Sequence, residues 1–103
     1  MIREVPKADV VVTNPTHYAV ALRYDRETMD APAVIAKGVD SMALRIREIA
    51  RENYIEIIEN RPLARELYNT VDVGDIIPEN LFRAVSFIYA ELYKRENSYR
   101  RAI

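Results

Sequence analysis

The chain has 103 residues, and its 15 basic and 16 acidic side chains give a formal net charge of −1 at pH 7. This balance argues against a general nucleic-acid binder, whose affinity depends on an excess of Lys and Arg facing phosphates. Cysteine is absent, which excludes disulfides, thiolate catalysis and cysteine-based metal sites. No apolar run approaches the ~20 residues of a membrane helix. Length and composition therefore predict one soluble domain.

The first half of the chain is predicted to contain three short strands. Residues 1–8 are interpreted as a linker or a helical lead-in. Consecutive β-branched residues predict a strand at residues 9–13, and a period of two in the large apolar side chains predicts a second strand at residues 17–24. A third strand is expected at residues 33–37, and Gly38 is expected to end it.

A helix is predicted to follow the third strand, because apolar and small residues recur there at helical spacing. Asp40 or Ser41 can cap this helix, which is expected to run to about residue 53. Its polar side carries several Arg and Glu residues and is expected to face water. Its inward side is expected to consist of Met42, Ala43, Ile46, Ile49, Ala50 and Asn53.

The remaining sequence predicts one more strand and two further helices. The strand is expected at residues 55–59, and the helices begin at Pro62 and Pro78. The last helix is expected to reach about residue 97, followed by a flexible tail at residues 98–103. Its core stripe is expected to consist of Leu81, Val85, Ile88 and Leu92. This order predicts an α/β fold in which a small mixed sheet of about four strands packs with about four helices, in a single domain at residues 9–97.

The segment VVVTNPTHYAV, residues 10–20, interrupts strand-like sequence with Asn-Pro and with the only histidine of the chain. Asparagine normally deamidates because the next backbone nitrogen attacks its side-chain carbonyl, but proline has no N–H and closes that route. The Asn14 side-chain nitrogen can instead attack the main-chain carbonyl of Asn14. This reaction forms a succinimide, expels the Pro15 nitrogen and cuts the chain.

Three features of the motif favour this cleavage. Pro15 restricts its own φ dihedral and the conformation of Asn14, and a tight turn can hold the attacking nitrogen close to the carbonyl. Histidine is the side-chain type best suited to proton transfer at neutral pH, so His17 can protonate the leaving nitrogen. Thr16 can hydrogen-bond within the turn and position these groups.

Two other interpretations remain open from these residues. Asn-Pro is a common turn dipeptide, so the motif could belong to a structural binding domain that does not cleave. A hydrolase using His17 would need a nucleophile, and Ser41, Ser86 and Ser98 lie in no G-x-S-x-G context. One histidine among scattered carboxylates lacks metal-ligand spacing, so neither a metal nor a cofactor is predicted.

The sequence around the motif resembles the FlhB/YscU family of type III secretion export-apparatus proteins. The match begins with VPKADVVVTNPTHYAVALRYD at residues 5–25. It continues in the same register through APAVIAKG (31–38), ALRIREIA (43–50), RPLARELY (61–68) and GDIIPENLFRAV (74–85). The later blocks are most similar to the flagellar branch, and the homologous switch protein of virulence injectisomes is the alternative.

The resemblance implies an export-switch domain at the cytoplasmic face of the bacterial inner membrane. In the family this domain follows an N-terminal domain of transmembrane helices, which is absent here and is the expected link to the membrane. Family members cleave themselves between the residues that correspond to Asn14 and Pro15, and the two pieces stay associated. Cleavage permits the switch of export specificity from rod and hook subunits to filament subunits. The implied reaction is one intramolecular event and not catalysis with turnover.

The resemblance also implies several partners. They are the other large membrane protein of the export gate, export substrates and their complexes with chaperones, and the secreted ruler protein that measures hook length. Early substrates are expected in a shallow apolar cleft near Ala31 and Pro32. The facing wall would be a stripe of the last helix formed by Phe82, Ser86, Tyr89 and Tyr93. The helical spacing of this stripe favours plain packing against the sheet, and the exposure of its side chains decides between the two.

Overall fold

The structure is a computed structural model that describes the backbone of residues 1–102 and the side chains of residues 1–97. Its strands are β1 (Val10–Asn14), β2 (Tyr18–Arg23), β3 (Ala33–Val39) and β4 (Glu56–Glu59). Its helices are α1 (Asp40–Glu52), α2 (Arg61–Thr70) and α3 (Phe82–Ala102), with short 3₁₀ helices at Ile2–Lys7 and Glu79–Leu81. The predicted α/β fold with a four-stranded mixed sheet is confirmed. Within residues 1–102, no helix is both long enough and apolar enough to span a membrane.

β1 is an inner strand of the sheet, whose order is β3-β2-β1-β4. It pairs antiparallel with β2, from Val10 opposite Leu22 to Asn14 opposite Tyr18. On its other side it pairs in parallel with β4, where Thr13 is opposite Glu59. The two strands that flank the NPTH motif are therefore direct neighbours in one sheet.

Helices cover both faces of this sheet, and β1 contributes to the core on each side. Val10 and Val12 pack with β2 residues against α2 and α3, whereas Val11 packs against α1. All three valines are fully buried. A strand that is buried on both faces is typically a continuous apolar run rather than an alternating one. This accounts for the unbroken triplet of valines before the motif.

The folded unit begins earlier than the predicted boundary at residue 9. Residues 1–8, interpreted from sequence as a linker or a helical lead-in, include the 3₁₀ helix Ile2–Lys7. Val5 in this helix is fully buried and belongs to the apolar cluster beneath α1. Isolated short helices are marginal in water, so packing of this apolar side chain is what holds the segment on the domain.

β3 is longer than predicted, because Gly38 lies within the strand and does not end it. Gly38 pairs with Ala19 of β2, and the strand continues to Val39. A β-carbon on Gly38 would overlap the Met42 side chain. Glycine is therefore required here by the close approach of the first turn of α1.

The inward face of α1 differs from the predicted one. Its buried residues are Ala43, Ile46, Ile49 and Ala50. Met42 is 36% exposed, and Asn53 is exposed and follows the helix. The Asn53 side-chain amide donates to the Ile49 carbonyl at 2.8 Å and so satisfies one of the last carbonyls of the helix. The expected cap at Asp40 or Ser41 is not formed: the capping position is Val39, which makes no side-chain hydrogen bond.

The last helix is preceded by a single 3₁₀ turn and ends later than predicted. Pro78 leads into Glu79–Leu81, and the predicted core stripe of Leu81, Val85, Ile88 and Leu92 is buried. The backbone of α3 continues to Ala102. The predicted tail, residues 98–103, falls on this extension, and its side chains and Ile103 lie outside the described part of the chain.

Asp9, just before β1, joins three parts of the fold. Its carboxylate oxygen Oδ2 accepts hydrogen bonds from the Tyr24 backbone N–H at 2.6 Å and from the Tyr89 hydroxyl at 2.9 Å. Its own backbone N–H donates to the Leu22 carbonyl at 2.8 Å. One carboxylate thus ties the start of β1 to the end of β2 and to α3. Hydrogen bonds to a charged acceptor are shorter and stronger than neutral ones.

We expect Asp9→Ala to lower the free energy of unfolding more than Tyr89→Phe does. Tyr89→Phe removes one of the two bonds to the carboxylate, at a cost of about 1 kcal/mol, whereas Asp9→Ala removes both, at a cost of about 2–3 kcal/mol. Urea unfolding followed by circular dichroism measures both. All variants are made in an Asn14→Ala background, which excludes any contribution from the cleavage predicted from sequence.

Glu27→Ala is the matched control, because Glu27 is an exposed carboxylate that follows the same hairpin. Its unfolding free energy is expected to change by less than about 0.5 kcal/mol. Equal losses for Asp9→Ala and Tyr89→Phe would show that the bond from the Tyr24 backbone contributes nothing.

Candidate functional site

The NPTH motif forms a tight turn between β1 and β2. Asn14 is the last residue of β1, and Tyr18, its partner across the pair, is the first of β2. The His17 backbone N–H donates to the Asn14 carbonyl at 3.0 Å. Thr16 has a φ of 66°. This hydrogen bond, with Pro15 second and a positive φ third, is the arrangement of a type II β-turn.

Thr16 is an unfavourable residue for the third position of this turn. Type II turns normally place glycine or asparagine there, because a β-carbon in the left-handed region approaches the backbone too closely. The cost is about 1–2 kcal/mol for an ordinary residue, and β-branched residues are rare in this conformation. The strands on either side fix the turn, so this strain is held one peptide bond away from the Asn14–Pro15 bond.

His17 is exposed and lies beside a carboxylate that the sequence did not point to. Its Nδ1 is 3.5 Å from Oδ1 of Asp40, and the Asp40 backbone N–H donates to the His17 carbonyl at 3.0 Å. Both side chains are well exposed, so the ionic attraction is weak. The backbone hydrogen bond is the stronger contact, and it fixes the position of the His17 backbone relative to the first residue of α1. Asp40 itself has a φ of 49°.

Asp40 reaches the motif through strand pairing and not through sequence proximity. Val39, the last residue of β3, pairs with Tyr18 at the start of β2. The next residue along, Asp40, is therefore brought beside His17. The sequence predicts Asp40 only as a helix cap, because its position beside His17 depends on the register between β2 and β3.

On the opposite side, Asn14 faces the start of α2. The parallel pairing of β1 with β4 brings the two strand ends together, and the Asn60 backbone N–H donates to the Thr13 carbonyl at 2.9 Å. Asn60 also caps α2, because its Oδ1 accepts the Leu63 N–H at 3.2 Å. A concave surface here is lined by Asn14, Arg61, Pro62, Arg65, Glu66 and Asn69.

Five of the six residues proposed for a partner cleft lie together near the opposite end of the hairpin. Ala31, Pro32, Phe82, Ser86 and Tyr89 line one groove of ≈ 260 Å³. Its other lining residues are Tyr24, Asp30, Ile77 and Val85. Phe82 is 42% exposed and Ser86 is exposed. Plain packing against the sheet therefore does not account for this stripe.

Tyr89 forms the wall of the groove nearest to Asp9. Burial raises the pKa of the Tyr89 hydroxyl, and the neighbouring Asp9 carboxylate, which accepts its hydrogen bond, raises the pKa further. The hydroxyl therefore stays protonated and remains a donor to Asp9. Because Asp9 precedes the Asn14–Pro15 bond and Tyr89 follows it, this hydrogen bond joins the two sides of that bond.

Among the residues with described side chains, no group of three or more His, Asp or Glu residues could hold a metal ion. The turn itself presents the side-chain amide of Asn14, main-chain carbonyls and the imidazole of His17.

The chain is similar to known proteins over most of its length. A family model described as "FlhB HrpN YscU SpaS Family" matches residues 1–92. The flagellar biosynthetic protein FlhB of Bacillus subtilis is 56% identical over 94 residues, which is 91% of this chain and 26% of that protein. FlhB of Helicobacter pylori is 58% identical over 96 residues, 93% of this chain and 26% of that protein. The chain thus spans about a quarter of the length of these relatives.

Solved structures show the same fold. The cytoplasmic domain of FlhB from Shewanella putrefaciens superposes with a TM-score of 0.92 at 47% identity, covering 96% of this chain and 76% of that one. A mutated EscU C-terminal domain superposes with a TM-score of 0.84 at 35% identity, covering 88% and 97%. The chain therefore belongs to the FlhB/HrpN/YscU/SpaS family of flagellar biosynthesis and type III secretion export proteins.

Proposed function

We propose that this domain is the export switch of a flagellar type III apparatus and that it cleaves itself once, between Asn14 and Pro15. The observation that carries the proposal is the turn itself. An Asn-Pro bond lies in a tight turn that is strained at Thr16 and held on both sides by strand pairs. Strain of this kind persists only where the surrounding structure enforces it, and it is concentrated at functional sites.

The reaction needs only groups of the chain and one water molecule. The Asn14 side-chain nitrogen forms a bond to the Asn14 main-chain carbon and loses a proton. The bond from that carbon to the Pro15 nitrogen breaks, and this nitrogen takes up a proton, for which His17 is the donor. Water then opens the succinimide and leaves a carboxylate on residue 14. The turn contributes mainly by holding the reacting atoms close together.

The two pieces are expected to remain one folded domain after cleavage. On the N-terminal side, β1 keeps its backbone pairs to β2 and β4, and its three valines stay buried. On the C-terminal side, the Tyr18 ring packs on Tyr68 of α2, with ring centroids 5.3 Å apart. Cleavage would then release only the segment between these anchors, Pro15 to His17, and so alter the surface without unfolding the sheet.

The released segment is the expected signal for the change from rod and hook subunits to filament subunits. The partners proposed to recognise it are the other export-gate membrane protein, substrate–chaperone complexes and the secreted ruler protein. The proposed location is the cytoplasmic face of the bacterial inner membrane, with the membrane reached through the N-terminal domain. A flagellar system is favoured over an injectisome, because FlhB relatives match at 47–58% identity and the EscU and PscU domains at 35–38%.

The groove near Ala31 and Pro32 is proposed to bind early export substrates. It is apolar at its base, where Ile77 and Val85 are buried, and it is open at Phe82. An extended segment with small apolar side chains fits a shallow groove of this kind. Because Tyr89 in its wall bonds to Asp9, the groove depends on contacts from both sides of the proposed cut.

We expect Asn14→Ala to abolish cleavage and His17→Ala to slow it without abolishing it. Alanine removes the attacking nitrogen entirely, whereas loss of a proton donor leaves the geometry of the turn in place. A slowing of about 10–100-fold is expected for His17→Ala. Denaturing gels of protein held at neutral pH follow the appearance of a fragment lacking residues 1–14, and mass spectrometry locates the cut.

Asn69→Ala is the matched control for the loss of an asparagine, since Asn69 lies on the same surface but precedes no proline. It is expected to cleave at the wild-type rate. A wild-type chain that stays a single band after prolonged incubation would disprove cleavage for this protein. A wild-type rate in His17→Ala would remove His17 from the mechanism.

We expect Phe82→Asp to weaken binding of an early export substrate by about 10-fold or more, because it places a charge in an apolar groove. Fluorescence anisotropy with a labelled hook or rod subunit measures this. Phe87→Asp is the control: Phe87 is 69% exposed on the same helix but is not part of the groove. Equal loss of binding in both variants would contradict the assignment of the groove.

A further inference from the structure

Two arginines lie on the surface beside Asn14, and one of them is paired with a carboxylate. Of the groups that line it, Arg61 and Arg65 are cationic and Glu66 is anionic. Arg61 Nε lies 3.4 Å from the Glu59 carboxylate, in an ion pair whose two side chains are well exposed. Such a pair is weak in water. Within the part of the chain whose side chains are described, Arg65 forms no ion pair and no side-chain hydrogen bond.

This surface is placed beside Asn14 by the fold and not by local sequence. β1 and β4 run in parallel, so their last residues reach the same edge of the sheet, and Thr13 pairs with Glu59. The Asn60 backbone donates to Thr13, and α2 begins at the next residue, Arg61. Arg65 follows one helical turn later and therefore lies on the same face of α2.

Cleavage at Asn14 would change the charge of residue 14, which lies beside this surface. Before cleavage, residue 14 presents a neutral amide and a neutral peptide carbonyl. After the succinimide is opened by water, residue 14 carries one carboxylate, either on its main chain or on its side chain, and the other of these groups is an amide. Both products add one negative charge at the same place.

We propose that the surface formed by Arg61, Arg65 and Asn69 is a binding site for the carboxylate that cleavage creates at residue 14. Guanidinium groups bind carboxylates through paired, charge-assisted hydrogen bonds, and the Asn69 amide adds a neutral donor. The carboxylate exists only in the product, so this site would gain its ligand on cleavage. It therefore retains the N-terminal fragment after the covalent link is lost. This inference rests on the proposed cleavage.

The test is an exchange experiment on fully cleaved wild-type protein. Two synthetic peptides of residues 1–14 compete with the resident fragment, one ending in a free carboxylate and the other in a carboxamide. Each carries a fluorophore at its N-terminus, and size-exclusion chromatography measures how much is incorporated. The wild-type protein is expected to prefer the carboxylate peptide by roughly 10-fold or more.

The double variant Arg61→Gln/Arg65→Gln is expected to lose this preference and to release its own fragment roughly 10-fold faster. Arg83→Gln is the matched control, because Arg83 is an exposed arginine on α3 away from this surface. It is expected to keep the preference. Lysine at both positions is expected to restore part of it, since the charge returns without the paired geometry.

A second measurement on the wild-type protein does not depend on the variants. The Nε–Hε resonances of Arg61 and Arg65 are expected to shift with the same time course as cleavage on a denaturing gel, and to stay unchanged in Asn14→Ala. Equal incorporation of both peptides, or unchanged resonances in cleaved protein, would overturn the carboxylate site while leaving cleavage intact. A chain that never cleaves would instead overturn the proposed function.

Discussion

The position of β1 inside the sheet is the constraint on which the other features depend. β1 pairs with β2 on one side and with β4 on the other, and its valines enter the core on both faces. The pairing with β2 closes the turn and sets the conformation at Thr16. The pairing with β4 brings the start of α2 beside Asn14. The strained turn and the nearby start of α2 therefore both result from the pairing of β1 with two strands.

The turn shows how a local preference can be overridden by tertiary structure. In the absence of tertiary structure, the β-branched residue Thr16 would rarely adopt the left-handed region after Pro15. The strand pairs require the chain to reverse within three residues, and they supply the free energy that holds it there. Natural sequences generally agree with their fold at every level, and the exceptions tend to lie at functional sites. The turn is such an exception.

Much of this arrangement could be predicted from sequence because it depends on local patterns. The β-branched runs predicted the strands. Helical spacing predicted the buried side of α3, formed by Leu81, Val85, Ile88 and Leu92. The cleavage at Asn14–Pro15 is inferred from the chemistry of these two residues and stays a prediction. The inner side of α1 was misplaced because Met42 and Asn53 share the helical spacing of the true core positions. In that case spacing alone could not distinguish the residues at the edge of the stripe from those at its centre.

The neighbours of the motif could not be predicted in the same way. Asp40 reaches His17 only through the register between β2 and β3, and Arg61 and Arg65 reach Asn14 only through a parallel pair between distant strands. Pairing of strands far apart in sequence is set by the whole fold and leaves no local signal. The groove is an intermediate case, because the family resemblance indicated its residues but not their exposure.

Breaking the Asn14–Pro15 bond, as proposed, would make the domain a complex of two chains, and its stability would acquire a dependence on concentration that a single chain lacks. The departing chain would take an interior strand with it and leave two unpaired strand edges, on β2 and on β4. Unpaired edges recruit other strands. Reassociation slows as the concentration falls, so in dilute protein the lifetime of the assembled domain would be governed by the dissociation rate of β1. The proposed cut would therefore convert a permanent fold into one with a finite residence time.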